Sequence, residues 1–217
     1  MNAQIELLEG TNRDTSKSQY FSPPKLAQRV VQWALSEQYA LDRDPMRVLE
    51  PSAGNGALVR PLVAAGAIVD AIEIDARYRD TLCDLLPPPH HRVWAGDDFL
   101  QHDPAWADAY DLCVTNPPYH DDGESKFVLH ALKFAPRVVG IFRADVFYSV
   151  SRGEGLWKHV RPTRVAWCSR RPWKGAETDY CVLELVTREH GCVFPRGPFS
   201  RSGCVTSATL EWWSDAW

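Results

Sequence analysis

With 217 residues, 45% of them hydrophobic and 24% charged, the chain has the length of one ordinary domain, able to bury roughly 70% of the surface its unfolded form exposes. That excludes a disulfide-stapled miniprotein. The composition is not that of a disordered, collagenous or repeat protein, and the longest apolar run, Leu62 to Val69, is far below the ~20 residues of a membrane span. Acids in the first ten residues and six cysteines without framework spacing lead us to expect a cytoplasmic protein with reduced thiols and no membrane partner.

Ser22-Pro23-Pro24 followed by Leu26, Val30, Val31, Ala34 and Leu35 predicts an N-cap at Ser22 and an amphipathic helix to about Tyr39. Met46 to Glu50 reads as a strand, Pro51-Ser52-Ala53-Gly54-Asn55-Gly56 as a glycine turn, and Ala57 to Ala65 as a helix. A second strand, Ala67 to Ile74, ends in acids, and a helix from Arg77 to Leu86 is closed by three prolines. A third strand, Arg92 to Ala95, leads into Gly96-Asp97-Asp98-Phe99-Leu100, and a fourth, Tyr110 to Thr115, into Asn116-Pro117-Pro118-Tyr119. A helix near Lys126 to Ala135 precedes a fifth strand, Val138 to Phe142; Val165 to Cys168 and Tyr180 to Thr187 read as further strands, and Thr206 to Trp213 as another candidate. Strands alternating with helices predict an α/β domain with a mostly parallel sheet covered on both faces. Such sheets bind ligands beyond the carboxyl ends of their strands, which here carry Glu50, Glu73, Asp98 and Asn116.

The formal charge of −4 hides an asymmetry: residues 1–136 hold 12 Lys and Arg against 20 Asp and Glu, and residues 137–217 hold 12 against 8. Between Arg152 and Lys174 there are seven basic residues and one acid, interleaved with Trp157, Trp167 and Trp173. That segment is suited either to phosphates and bases or to a solvated surface with its aromatics turned inward.

Gly54 and Gly56 permit a tight turn and close approach of a ligand to helix amides. Glu73, at a strand tip, could accept hydrogen bonds from both hydroxyls of a ribose, with Asp75 as a solvent-facing or helix-capping neighbour. The acidic rim suits a cofactor with a cationic centre and disfavours a dinucleotide. Asn116 and the Pro117 carbonyl, held by two prolines, could aim two acceptors at one amino nitrogen, with Tyr119 offering an aromatic face. Such acceptors stabilise the positive charge that grows on nitrogen during attack on an electrophile. An isolated Asn-Pro-Pro turn would instead be read as a strand terminator; here it lies one strand beyond the cofactor edge.

These motifs resemble those of the amino methyltransferases that use S-adenosylmethionine, and most closely the small phage-type and restriction-modification DNA adenine-N6 methyltransferases. Gln19 to Pro24, with Tyr20, Phe21, Ser22 and Pro23, is similar to the family's N-terminal motif beside the cofactor's methionine moiety. Leu49 to Gly56, with Glu50, Pro51, Ser52, Ala53, Gly54 and Gly56, resembles the glycine motif, and Ala71 to Asp75, with Glu73 and Ile74, the ribose and adenine motif. Asp98-Phe99-Leu100 resembles the motif touching the cofactor adenine, with Asp97 as a rival acid. Asn116, Pro117, Pro118 and Tyr119 resemble the catalytic motif. Downstream, Phe142-Arg143, Arg152, Arg171 to Gly175 and Thr178 to Tyr180 are similar to the phage enzymes, although Val182 to Val186 replaces their Trp-rich strand.

The resemblance spans about residues 18 to 187. It implies a Rossmann-like class I methyltransferase with a seven-stranded sheet in a single domain, 1–217, its cofactor half at 18–115 and its catalytic and target half at 116–217. It also implies adenine in DNA as the target, flipped into the site, with Arg143, Arg152, Arg170, Arg171, Trp173 and Lys174 as candidate nucleic-acid contacts. Asn before Pro-Pro-Tyr also occurs in glutamine-N5 enzymes, but those carry a helical domain ahead of the cofactor half and only about twenty residues precede Phe21. An RNA adenine enzyme and a non-catalytic cofactor-binding subunit are the further alternatives. We expect a short recognition sequence, a specificity-supplying partner or a homodimer, and no metal: Cys181, His190, Cys192 and Cys204 match no finger spacing.

Overall fold

Residues 20–36, 45–106, 110–147, 155–168, 179–187 and 209–213 are described by the structure, a computed structural model. The first helix, α1 (Pro24–Ala34), starts as the prolines direct, but its N-cap is Pro23, with no side-chain cap. Ser22 is committed elsewhere, as shown below. It ends at Ala34 with Leu35 as its C-cap, short of the expected end near Tyr39, which lies outside the described residues.

The chain then alternates as its patterning requires: β1 (Arg47–Glu50), α2 (Val59–Ala64), β2 (Ile68–Glu73), α3 (Arg79–Leu85), β3 (Arg92–Ala95), β4 (Leu112–Thr115), α4 (Gly123–Ala131) and β5 (Arg137–Arg143). A short α5 (Leu156–His159) leads into β6 (Val160–Cys168), followed by β7 (Tyr180–Thr187) and β8 (Thr209–Trp213). The strands form one sheet in the order β3-β2-β1-β4-β5-β7-β6-β8. Among the described strands only β7 runs against its neighbours, pairing antiparallel with β5 and β6. The sheet therefore has eight strands among the described residues, one more than expected. The addition is the Thr206–Trp213 candidate, realised as Thr209–Trp213 and pairing in parallel with β6.

Two apolar layers sandwich the sheet. On one face Leu26, Val30 and Val31 of α1 and Leu62 of α2 pack against Val48, Val69, Val139 and Ile141. On the other, Val128 and Ala131 of α4 and Leu156 of α5 pack with Phe99 against Leu49, Val138, Phe142 and Leu183. Strand alternation produces both layers at once: in β7, Tyr180 and Val182 belong to the first and Cys181, Leu183 and Leu185 to the second. Such two-sided burial is what a near-continuous apolar strand anticipates.

A buried ionic cluster fixes the edge opposite the carboxyl ends of the parallel strands. Glu184 of β7 accepts from Thr163 Oγ1 at 2.8 Å and from Arg137 Nη1 at 3.3 Å, with Arg164 Nη1 at 3.6 Å. The same guanidinium groups donate to the last carbonyls of α1, Arg164 to Trp33 and Arg137 to Ala34, giving the helix C-terminus the positive partners its dipole favours. The Trp33 indole N–H donates to Glu211 of β8 at 2.6 Å, and Trp33 meets Trp213 edge-on. Trp213 is thus core, while its neighbour Trp212 is 68% exposed.

Candidate active site

The strand order reverses between β1 and β4, and the carboxyl ends of these two strands bound a cleft of about 450 Å³. Glu50 and the glycine turn line one wall, Glu73, Ile74, Asp97, Asp98 and Phe99 the next, and Asn116, Pro118 and His120 the third. Tyr20, Phe21 and Ser22 line the cleft as well. The structure thus brings residues from all five motif segments to one place. Contrary to expectation, Tyr119 does not offer the cleft an aromatic face: it is buried behind the lining with Pro117, its hydroxyl on Asn116 Oδ1, and Pro23, half-buried at the start of α1, is also outside the lining.

Glu50 is 1% exposed. Its Oε1 accepts from the Ser52 backbone N–H at 3.0 Å, while Oε2 is buried with no hydrogen-bond partner among the described residues. Burial pushes its carboxyl up to about 8, against the lowering effect of the Ser52 and Thr115 hydrogen bonds. Ser52 Oγ also lies 2.7 Å from Thr115 Oγ1 and 3.0 Å from the Asn116 carbonyl oxygen, stitching the ends of β1 and β4 together.

Glu73 holds the turns rather than standing free. Its Oε2 accepts from the Gly54 N–H at 2.6 Å and its Oε1 from the Asp75 N–H at 2.8 Å. Gly54 has φ +52°, and a Cβ there would stand 3.1 Å from the Phe21 ring. Asp75 is the helix-capping neighbour: it accepts from the Arg77 N–H and pairs with the Arg77 guanidinium. Asp98 caps the 3₁₀ turn Phe99–Gln101 through the Leu100 N–H, whereas Asp97 is exposed on the rim with His102 Nε2 3.5 Å away. Both line the cleft.

The Asn116 carboxamide is held on three sides. Nδ2 donates to the Tyr20 carbonyl at 2.6 Å and to Ser22 Oγ at 3.2 Å; Oδ1 accepts from the Tyr119 hydroxyl at 2.5 Å. Tyr119 is 8% exposed, edge-on to Tyr180 and tilted against Tyr20. Burial, with the Glu124 carboxylate close by, raises its ionisation well above the usual phenol range, so it stays a donor. The loop beyond is kept in place by two left-handed residues, Asp121 (φ 50°) and Asp122 (φ 57°), and by Gly123, whose hypothetical Cβ would lie 2.4 Å from the Pro118 carbonyl oxygen.

Of the expected nucleic-acid contacts only Arg143 is described; Arg152, Arg170, Arg171, Trp173 and Lys174 lie outside the described residues, as do His190, Cys192, Cys204 and Trp217. Arg143 ends β5 on the cleft side of the sheet, 3.2 Å from Asp145, and its backbone N–H donates to the buried Glu124. Sequence reasoning passed over Thr115, Gly123, Lys126 and Phe127, the last three in the cleft wall. Gly after Asp-Asp at a helix start was the one visible signal.

No family model matches the chain. Solved structures do. A protein of Listeria monocytogenes provisionally designated a class I S-adenosylmethionine-dependent methyltransferase superimposes with a TM-score of 0.69 at 11% identity, over 98% of this chain and 70% of that one. One of Pyrococcus horikoshii, provisionally designated an RNA methyltransferase, gives 0.65 at 19% identity over 86% and 99%. A modification subunit assigned to a type I restriction enzyme of Vibrio vulnificus gives 0.63 at 11% over 84% of this chain but only 47% of its own length. At such identities the likeness is one of architecture, and it agrees with strand order, the antiparallel β7 and the cleft at the switch point: this chain has the class I S-adenosylmethionine-dependent methyltransferase fold.

Proposed function

We propose that the protein is an S-adenosylmethionine-dependent methyltransferase acting on the N6 amino group of adenine in DNA. The observation that carries the reading is the placement of Asn116, in Asn-Pro-Pro-Tyr, on the same cleft as Glu50, the Gly54 turn and Glu73.

The residues present fit the cofactor. The partnerless Glu50 Oε2 supplies a buried acceptor for a cationic amine, and the cleft carries more acids than bases, as a sulfonium compound favours. Phe21, Pro23 and the turn from Pro51 through Ser52, Ala53, Gly54 to Gly56 would hold its amino-acid end, Glu73 and Ile74 its ribose and adenine, and Asp98 or Asp97 with Phe99 the far side of the base. When bound, S-adenosylmethionine supplies an electrophilic methyl group.

The work of this chain is positional. Asn116 Oδ1 retains an acceptor site, and with the Pro117 carbonyl it would orient an amino N–H so that the nitrogen lone pair faces the methyl. Positive charge developing on nitrogen is stabilised by the same acceptors. The amino proton leaves to water at the open rim, where His120 is exposed. A base must leave the duplex to enter, at a cost of a few kcal/mol; phosphate contacts from the basic 152–174 segment, with Arg143, would offset it. Pro118 and Tyr119 brace the corner.

Labelled S-adenosylmethionine offered in parallel to unmethylated duplex DNA, single-stranded DNA, RNA and a Gln-rich protein extract tests the assignment. N6-methyladenine in DNA is expected, lost in Asn116→Ala while cofactor binding persists. Label appearing only in RNA or in protein glutamine would replace the DNA reading by that substrate; no transfer, with cofactor bound, would leave a binding subunit.

A further inference from the structure

A carboxamide has two N–H donors and two acceptor sites on its oxygen. For Asn116, Tyr20 O and Ser22 Oγ take both donors, and the Tyr119 hydroxyl takes one acceptor site. Three of the four are therefore filled within the chain, and the one left, on Oδ1, is the kind a substrate N–H requires. The alternative flip of the amide would set Oδ1 against the Tyr20 carbonyl, two acceptors with no hydrogen between them. It would also turn the amide donors toward Tyr119 and the cleft.

The segment that makes these bonds also touches the cofactor side. The Phe21 ring packs over Gly54 and meets Tyr78 edge-on, with centroids 5.7 Å apart. Ser22 is itself buried, and it is not the helix cap its position suggests, since α1 has no side-chain cap. Its hydroxyl is pointed at Asn116 instead.

We propose that Ser22 is a positioning residue of the transfer step, fixing with the Tyr20 carbonyl the orientation of the Asn116 amide so that Oδ1 serves as the acceptor, rather than a contact of the cofactor. This rests on the methyltransferase reading, and it assigns to residues 20–22 a link between the glycine turn and the amine site.

The test compares Ser22→Thr with its isostere Ser22→Val, so that packing changes are shared and only the hydroxyl differs. In full-length protein, S22V should lower kcat about tenfold or more relative to S22T, with the acceptor KM and the directly measured affinity for S-adenosylhomocysteine changed less than about threefold. Independently of activity, the Asn116 side-chain amide resonances, identified by their loss in Asn116→Asp, should keep slow hydrogen exchange in S22T and lose it in S22V. Equal kcat and equal exchange in the two variants would overturn the proposal. So would a loss of product affinity in S22V with kcat intact, which would make Ser22 a cofactor contact. If the wild type methylates no acceptor, the functional reading fails, while the exchange measurement still decides the role of Ser22.

Discussion

The Glu73 carboxylate accepts a hydrogen bond from the Gly54 backbone N–H at 2.6 Å, so the tip of β2 sets the shape of the turn that follows β1. Its other oxygen holds the Asp75 N–H. One side chain thus satisfies amides of two successive turns, and a cofactor hydroxyl would share oxygens already in use.

Replacing Glu73 by Ala should therefore weaken the fold as well as ligand binding. Each buried amide left without its acceptor costs about 1–3 kcal/mol, and a chain of this length melts about 2–4 °C lower per kcal/mol. A thermal midpoint at least ~4 °C lower is expected, with Glu73→Gln intermediate because one carbonyl oxygen remains. An unchanged midpoint in Glu73→Ala would show that Glu73 does not brace the turns.

Glu50 makes the protein sensitive to pH in a defined sense. Its carboxyl, raised from 4.5 to about 8 by burial, binds a proton in the folded state that the unfolded chain has lost. The stability it contributes is fully present below about pH 4.5 and is lost as pH rises through about 8. A donor or cation placed at Oε2 favours the carboxylate, so binding of S-adenosylhomocysteine at pH 7 should release a proton. Calorimetry in buffers of different ionisation enthalpy reads this directly, and Glu50→Gln should abolish the release.

Gly123→Ala should damage turnover more than cofactor binding. A methyl group 2.4 Å from the Pro118 carbonyl oxygen must displace the catalytic corner, whereas the glycine turn is on the other wall. Displacement of about 1 Å costs on the order of 100-fold in rate. A kcat within twofold of wild type would mean that the corner tolerates the shift.

Glu184→Ala removes the buried carboxylate shared by Arg137 and Arg164 next to the C-terminus of α1, leaving Arg164 its 3.6 Å pair with Glu211. Removing one partner of such a buried pair costs about 3–5 kcal/mol, which a urea midpoint will show. The cluster lies at the far edge of the sheet, so product affinity of the folded fraction should be unchanged.

The alternation of β1 through β5 with the helices, the Gly54 turn and the convergence of Glu50, Glu73, Asp98 and Asn116 were legible in the sequence. Each is encoded within a few residues: periodicity assigns strands to a two-sided sheet, glycine permits the turn, and two prolines end β4. β7 matches its expected bounds, Tyr180–Thr187, because the apolar run is unbroken. Helix ends were less legible, with α4 starting at Gly123 instead of near Lys126, because its start depends on the contact of Gly123 with Pro118.

The order of residue types along the chain determined the α/β architecture and the edge on which chemistry can occur, since strand ends and tight turns are local matters of backbone preference. Only tertiary structure decided that Ser22 faces Asn116 rather than capping α1, that Glu73 binds the amide of Gly54, that Tyr119 is buried with its hydroxyl on Asn116, and that β8 joins the sheet beside β6. Those pairings are hydrogen bonds whose partners are free to be distant in sequence, 94 residues for Ser22 and Asn116 and 178 for Trp33 and Glu211, and no local preference specifies them. They are selected when burial removes water as the competing partner.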